Sequence, residues 1–390
     1  MRPEEFKLEA QAILSFWSTQ ALNTTGYVPG KRNGKGEWDS LAPLGLVLHA
    51  RILWTFATAA RRSPESAEWH WAALRAYQFL ESHFAISHLP VGYHWSLAAN
   101  LTPLESKQQV YGLAFVLYAL SAYYKINPDP RILQKAQSLF FTLEEKGWDS
   151  AKEGYWEVFP SLDHHDIRLS TKDEVAEKTM NTHLHVLEGY TELYQVWPDS
   201  RLKKKIEQLL NLFFCRFWQP DRKHLGLFFD ADWNLVSPRI SFGHEVEAAW
   251  LIPYCARVIQ STDWSERLST WLPDLASAAL EGWDGQGLRH EYDPSTQHLT
   301  LHREWWVSAE SVVGFWEAYR QTGDPLFLHK AEHAWHFIQS RLKNEKHGEW
   351  YWGIGADDQP MVEEDSVGFW KCPYHSVRAC FLMEDHLSSL

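Results

Sequence analysis

Six glycines, Gly26, Gly92, Gly154, Gly226, Gly287 and Gly348, divide the chain at steps of 61 to 72 residues, and each opens a short stretch of aromatic and turn residues. The stretches read Gly26-Tyr-Val-Pro, Gly92-Tyr-His-Trp, Gly154-Tyr-Trp-Glu, Gly226-Leu-Phe-Phe, Gly287-Leu-Arg-His and Gly348-Glu-Trp-Tyr-Trp-Gly. A recurrence of this period means one supersecondary unit used repeatedly. The 390 residues are therefore read as a single domain, 1–390. Around the glycines, apolar residues recur at helical spacing through 4–22, 40–62, 66–85, 106–125, 129–146, 172–197, 199–216, 243–261, 263–282, 304–322, 325–343 and 369–386. Alternating aromatics followed by turn residues, as at Asp357-Asp358-Gln359-Pro360, predict a small hairpin between successive helix pairs. Helix pairs can stack as an open solenoid or close into a ring, and neither end of the chain shows a polar capping unit. The expected fold is all-α: a closed (α/α)6 barrel of twelve helices, with short β-hairpins at one end surrounding a central cleft.

Composition narrows what that cleft can serve. With 45% hydrophobic and 22% charged residues the chain is globular in character. Its net charge is −13 and its longest basic run is Lys203-Lys204-Lys205, so no surface is offered to neutralise phosphates and nucleic acid is excluded as a partner. The first residues enter an amphipathic pattern without the apolar core of a signal peptide, and no apolar run approaches the ~20 residues that cross a bilayer. A cytoplasmic protein without a membrane partner is expected. Cys215, Cys255, Cys372 and Cys380 are too scattered for a disulfide framework and form no CxxC pair. The 22 Trp, 20 Phe and 15 Tyr exceed what a core readily hides. Some are expected to line the cleft, where flat rings would stack on the apolar faces of sugars.

Three polar groupings stand near helix starts. In Asn181-Thr-His183-Leu-His185-Val-Leu-Glu188, the spacing puts Asn181, His185 and Glu188 on one face and turns His183 elsewhere. In Ser241-Phe-Gly-His244-Glu-Val-Glu247, His244 and Glu247 share a face. In Gly368-Phe-Trp370-Lys-Cys-Pro373-Tyr-His375, a proline sets His375 at a helix N-terminus. A metal site built from these histidines with Glu188, Glu247 and Glu310 is one alternative, but no HExxH pair occurs and His183-x-His185 would leave a helix on different faces. A serine or cysteine nucleophile lacks a GxSxG elbow or a local base. Paired carboxylates among Glu247, Glu304 and Glu310 would suit a glycoside hydrolase, a class that shares the inferred barrel. Arg51, in the middle of an apolar helix pattern, must face the cleft or an acid. Tyr111 is either a core residue or a cleft residue needing a partner for its hydroxyl.

These segments resemble the N-acylglucosamine 2-epimerase superfamily, and within it the cellobiose 2-epimerases. The resemblance spans nearly the whole chain. It is carried by Arg51-Ile-Leu-Trp-Thr-Phe, Gln109-Val-Tyr111-Gly, Asn181-Thr-His-Leu-His185, Ser241-Phe-Gly-His244-Glu-Val-Glu247, Trp305-Trp-Val-Ser-Ala-Glu310 and Gly368-Phe-Trp370-Lys-Cys-Pro-Tyr-His375. It implies an enzyme that opens a reducing sugar, removes the C2 proton and returns one to the other face, interconverting gluco and manno configurations. His244 and His375 then look like the acid/base pair, with His185 as a third catalytic group. Arg51, Tyr111 and Asn181 look like ligands of substrate oxygens, Glu247 and Glu310 like partners that orient the histidines, and Trp306 and Trp370 like a stacking platform. Inversion by proton exchange needs one group on each face of the carbon, and histidine can donate or accept near neutral pH.

No cofactor and no metal are expected, and GxGxxG and P-loop motifs are absent. The partner is a small sugar, and the oligomeric state a monomer or weak homodimer. Two departures bear on substrate. The second hairpin, Leu89-Pro-Val-Gly-Tyr-His-Trp-Ser-Leu-Ala-Ala-Asn100, lacks the Gly-Gly stretch usual in disaccharide-acting relatives, and 161–175, with Asp163-His-His-Asp166, is individual. Cellobiose-type disaccharides come first as substrates. A mannose 2-epimerase or an aldose–ketose mannose isomerase stands close behind, with free mannose favoured if the second hairpin narrows the cleft.

Overall fold

The computed structural model describes residues 1–87, 89, 91–160 and 166–389. Asp163, His164 and His165 of the individual segment, and Pro90 of the second hairpin, lie outside the described residues. Twelve α-helices appear among the described residues: α1 Pro3–Phe16, α2 Leu46–Arg62, α3 Ala67–Phe79, α4 Val110–Tyr124, α5 Pro130–Thr142, α6 Met180–Tyr194, α7 Ser200–Leu212, α8 Phe242–Val258, α9 Thr262–Ala279, α10 Trp305–Thr322, α11 Pro325–Phe337 and α12 Tyr374–Ser388. The even-numbered helices are the inner ones. In α4, a chargeless run from Val110 to Tyr123 is buried on every side. In its outer neighbour α5 only Ile132, Ala136, Leu139 and Phe140 are buried, the single stripe of a helix with one wet face.

Contacts run in cyclic order. Helix α2 packs on α4, α4 on α6, α6 on α8, α8 on α10, α10 on α12, and α12 on α2. Each inner helix is backed by the outer helix that follows it, except that α12 is backed by α1. The sixth pair is therefore assembled from the two ends of the helix series.

Outer helices have marked beginnings and ends. Asp129, Asp199 and Asp324 cap α5, α7 and α11, each carboxylate accepting the backbone N–H two residues on. Five outer helices run on into a wider π turn, at Trp17–Ala21, Leu80–Phe84, Leu143–Gly147, Phe213–Phe217 and Ile338–Leu342. Tight hairpins then surround the spaced glycines, through the pairs Ala85 with Tyr93, Trp148 with Tyr155, Trp218 with Leu225, Trp283 with Leu288 and Lys343 with Trp350. Gly26, Gly154 and Gly348 sit at φ of +88°, +88° and +86°, where other residues are strained.

A second layer of pairing is not apparent from the periodicity. The residues just before an inner helix form a two- or three-residue strand that joins the linker of the next unit. Gly45 pairs with Ser96, Thr179 with Phe228, Ser241 with Glu291 and Glu304 with Gly353, while Val367 pairs back to Arg32. This corrects three helix starts: 40 and 172 become Leu46 and Met180, because the residues just before them are paired with another unit, and 369 becomes Tyr374, because bends and the Pro373 cap fill the stretch after the paired strand. No helix among the described residues is long and apolar enough to cross a membrane.

The inner helices approach closely where side chains vanish. A Cβ at Gly314 on α10 would stand 2.2 Å from the Val246 carbonyl oxygen on α8. Alanine would gain about 1 kcal/mol in helix propensity. Overpacking against immobile backbone costs about 1–3 kcal/mol, and a contact this short belongs at the upper end. Gly314→Ala is therefore expected to lower the thermal unfolding midpoint, and a raised midpoint would show that α8 and α10 can separate freely.

Candidate active site

The inner helices bring their N-terminal turns to one cavity of about 450 Å3, within the ~300–1,000 Å3 usual for small-molecule sites. Asn181 and His185 reach it from α6, His244 and Glu247 from α8, Trp306 from α10, His375 from α12, Arg51 from α2 and Tyr111 from α4. Trp370 lines it from the segment before α12. Of the ten residues singled out from the sequence, Glu310 alone does not line the cavity; it stands behind His375.

Each histidine is fixed through Nδ1. His375 Nδ1 lies 2.6 Å from Glu310 Oε1 and His185 Nδ1 2.9 Å from Glu188 Oε2. Both carboxylates can only accept, so each ring donates Nδ1–H and keeps Nε2 as a proton acceptor. His244 differs. Its Nδ1 is 2.7 Å from Ser241 Oγ, the hydroxyl that also caps α8 by accepting the His244 backbone N–H. The expectation that Glu247 orients a histidine is thus corrected, because the cap hydroxyl takes the ring and Glu247 Oε1 instead accepts from Arg378 Nη2 at 2.7 Å.

Burial, followed by the charges of His290, His185 and His375, pushes the His244 imidazole well below the ordinary histidine range. Burial and then the guanidiniums of Arg51 and Arg378 do the same to His375. His185 is also lowered, chiefly by burial, with Glu188 opposing. All three rings are consequently neutral at physiological pH, the form in which an imidazole can accept a proton. His183, as its spacing predicts, points elsewhere: Nδ1 meets the Thr179 carbonyl and Nε2 accepts the Tyr155 N–H.

Arg51 faces the cavity and not an acid. Its Nη2 donates to the Tyr111 hydroxyl at 2.9 Å, and its guanidinium lies over the rings of Phe115 and Tyr374 at 4.3 and 4.7 Å. Asn181 Oδ1 is buried without a protein donor at the cavity wall. Trp306 touches three imidazoles, with ring centroids 5.0 Å from His244, 5.2 Å from His290 and 5.7 Å from His375. No described residue of the second hairpin lines the cavity; Trp95 reaches the site only through Trp370, at 6.0 Å. Leu169, Ser170, Lys172 and Asp173 of the individual segment do line it.

The residue that sequence reasoning missed is Arg378. Its Nη2 donates to Glu247 Oε1 and Glu310 Oε1, both at 2.7 Å, and its Nη1 to Glu188 and the Tyr374 hydroxyl. The signal was present, because Arg378 stands in an apolar helix run just as Arg51 does. Glu247, Glu310 and His375 bring possible metal ligands within 4.8 Å of one another. Arg378 Nη2 already donates to one oxygen of each carboxylate there, Glu247 Oε1 and Glu310 Oε1. Nor is any of the three carboxylates proposed for a hydrolase pair unengaged: Glu304 accepts from Trp306 Nε1 at 2.6 Å and faces His302 at 2.9 Å.

Burial alone would raise the Glu188 carboxyl, but Arg378, with His185 and Tyr374, holds it down at about 2. Arg378→Met should expose the cost of this arrangement, lowering stability at pH 7 by about 3–5 kcal/mol. In the wild type Glu188 titrates below its unfolded value of about 4.3, so its contribution is present at neutral pH and lost as pH falls from about 5 to 2. Without the guanidinium its carboxyl moves above the unfolded value and the slope reverses, so the variant gains stability between pH 7 and 5. Urea unfolding at both pH values checks this, and a variant as stable as wild type at pH 7 would contradict it.

Residues 30–379 match the N-acylglucosamine 2-epimerase (GlcNAc 2-epimerase) family. The chain is 38% identical to the cellobiose 2-epimerase of Bacteroides fragilis, over 94% of each chain. The solved structure of cellobiose 2-epimerase from Bacillus thermoamylovorans superposes with a TM-score of 0.91 at 32% identity, covering 98% of this chain and 99% of that one. The D-mannose isomerase of Marinomonas mediterranea is 24% identical over 86% of this chain and 85% of its own. With its motifs in family order and its fold shared almost end to end, the chain belongs to the N-acylglucosamine 2-epimerase family and is a carbohydrate epimerase, an enzyme of the isomerase class.

Proposed function

We propose that the enzyme inverts C2 of a reducing sugar by exchanging a proton between His375 and His244 through an enediolate, with cellobiose- or mannobiose-type disaccharides as its first substrates. The observation that carries this reading is the presence of two imidazoles, from α8 and α12, in one cavity against the same Trp306 ring. His375, backed by Glu310, gains a counter-charge on accepting a proton, which suits it to draw one from C2. His244, after taking a proton from solvent, delivers it to the other face of the carbon while His375 releases its own to solvent, so both rings end as they began, and the reverse reaction exchanges the roles. Arg51 and Tyr111 stabilise the charge that develops on O1 and O2. His185 assists ring opening, Asn181 binds a sugar hydroxyl, and Trp306 and Trp370 stack on the ring. In this reading the cyclic helix contacts form a closed (α/α)6 barrel, and the enzyme is a metal-independent cytoplasmic monomer or weak homodimer.

Two further observations bear on substrate. No described residue of the second hairpin stands in the cavity wall. Polar groups extend beyond the histidines, among them Asp173, Arg239, Glu291 and His302, and would suit a second sugar. Aldose–ketose isomerisation is the second reading. It uses the same enediolate, protonated at C1 instead of C2, and is supported by the similarity to a D-mannose isomerase.

Replacing His244 or His375 with Asn is expected to lower kcat by about 10²–10⁴-fold while substrate still binds. Reaction in D2O should place deuterium at C2 of the epimer. A variant that kept most of its kcat with a raised KM would remove the two-histidine mechanism. Chromatography of products from cellobiose, mannobiose and mannose separates the substrate readings: higher kcat/KM on the disaccharides is expected, a preference for mannose would replace them, and fructose formed from mannose would mark isomerisation. Activity should survive prolonged EDTA treatment, since the polarising groups are imidazole and guanidinium. Loss restored by one divalent ion would overturn that expectation.

A further inference from the structure

Among the described residues, five histidines line the cavity: His185, His244, His290, His302 and His375. Four have a carboxylate on a ring nitrogen, with His290 Nδ1 at 3.3 Å and His302 Nε2 at 2.9 Å from the same Glu304 Oε1. His244 is bonded to the neutral hydroxyl of Ser241 instead. Its proton affinity is therefore set by what stands around it.

One such group, His290, is seated by backbone. Glu291 pairs with Ser241 in a short antiparallel ladder, and the Gly243 N–H donates to the His290 carbonyl at 3.4 Å. The cap of α8 is thereby tied to the residue pair His290-Glu291, and the two imidazole centroids lie 6.5 Å apart. Trp306 closes the arrangement. Its ring touches both imidazoles, and its Nε1–H donates to Glu304 Oε2 at 2.6 Å, so the carboxylate that faces His290 is itself fixed.

We propose that His290, paired with Glu304, is a positioning residue that acts through its positive charge on His244, holding that imidazole neutral and able to exchange a proton. The groups facing His290 favour its cation. Glu304 and His302 come from the segment before α10, Glu291 from its own strand, Asp173 from the segment before α6, Arg239 from that before α8, and His244 from α8 itself. Arg239 opposes that charge, with Arg168 and Lys172 also lining the space around His290, and Glu174 lies 3.1 Å from Arg239. Burial is the largest single influence and disfavours the charged ring, yet Glu304 and Glu291 outweigh it and push His290 above the ordinary histidine range. The His290 side chain keeps 23% of its surface open, so water weakens these influences without cancelling them. That charge lowers the proton affinity of the neighbouring imidazole for as long as it is held. It disappears only as pH rises through the titration of His290.

The inference rests on the reading of His244 as a proton-exchange group, but the charge effect can be measured without turnover. Enzyme labelled at histidine 13Cε1 is titrated by NMR as wild type, His290→Gln and His290→Lys, with the His244 resonance assigned by its loss in His244→Asn. In the wild type His290 is expected to titrate above the ordinary histidine range, with His244 staying neutral to lower pH. His290→Gln should raise the His244 midpoint by about one pH unit, the effect of a unit charge at this separation in a partly hydrated cavity. His290→Lys, which keeps the cation, should return it to the wild-type position. The acid limb of kcat/KM should move in the same direction in His290→Gln and be restored in His290→Lys.

An unmoved His244 midpoint in His290→Gln overturns the inference, as does a wild-type His290 already neutral at pH 6. A raised KM in both variants with no change at His244 would make His290 a sugar ligand and also overturn it. If the His244 midpoint moves as expected but no sugar is epimerised, the functional reading falls and the electrostatic one stands.

Discussion

One buried guanidinium joins four inner helices. Arg378 on α12 reaches Glu188 on α6, Glu247 on α8 and Glu310 on α10, and neither end of that ion cluster could be buried without the other. The planar fork of arginine, with five donors, can serve three carboxylates at once, which the single ammonium of lysine could not do in this geometry. Burial first and then the charge of Glu310 push Glu247 up to about 8, so that carboxyl keeps its proton at neutral pH. The histidines inherit their geometry from this cluster, because two of the acids held by Arg378 are the acids that hold His185 and His375.

A repeated unit supplies the scaffold, and departures from the repeat supply the chemistry. Every unit offers an inner helix whose first turn meets the cavity, so a side chain one to five positions into any of those helices is available for a site. What each unit places there differs: arginine on α2, tyrosine on α4, asparagine and histidine on α6, histidine on α8, tryptophan on α10 and histidine on α12. The strand that precedes each helix, pinned to the next unit, fixes where that first turn begins. Precision at the site thus comes from backbone pairing across units as well as from packing within them.

Much of this was legible in the sequence because its causes are local. Spaced glycines mark turns at positive φ or positions without room for a Cβ, and helical periodicity marks the twelve helices. The histidine, arginine and tryptophan positions were found because their motifs cluster near helix starts. The illegible parts are relations between units. Helix starts at 40 and 172 were misread because their extended residues pair with strands about 50 residues away. His244 and Glu247 share a face by spacing, but the Ser241 hydroxyl competes for the ring. Arg378 and His290 escaped notice because their partners lie on other helices and loops, although the lone charge in the Val377-Arg378-Ala379-Cys380 run was visible.

The pairing of α12 with α1 has a consequence for how the chain reaches this state. During synthesis the helices emerge in order, and domains fold as their parts become available. Until α12 is free, α1 lacks the inner helix it packs against and the acids of α6, α8 and α10 lack their cation. The helix that joins the two ends of the series also delivers Tyr374, His375 and Arg378. Pairing of the chain's two ends and supply of that cation are therefore one event.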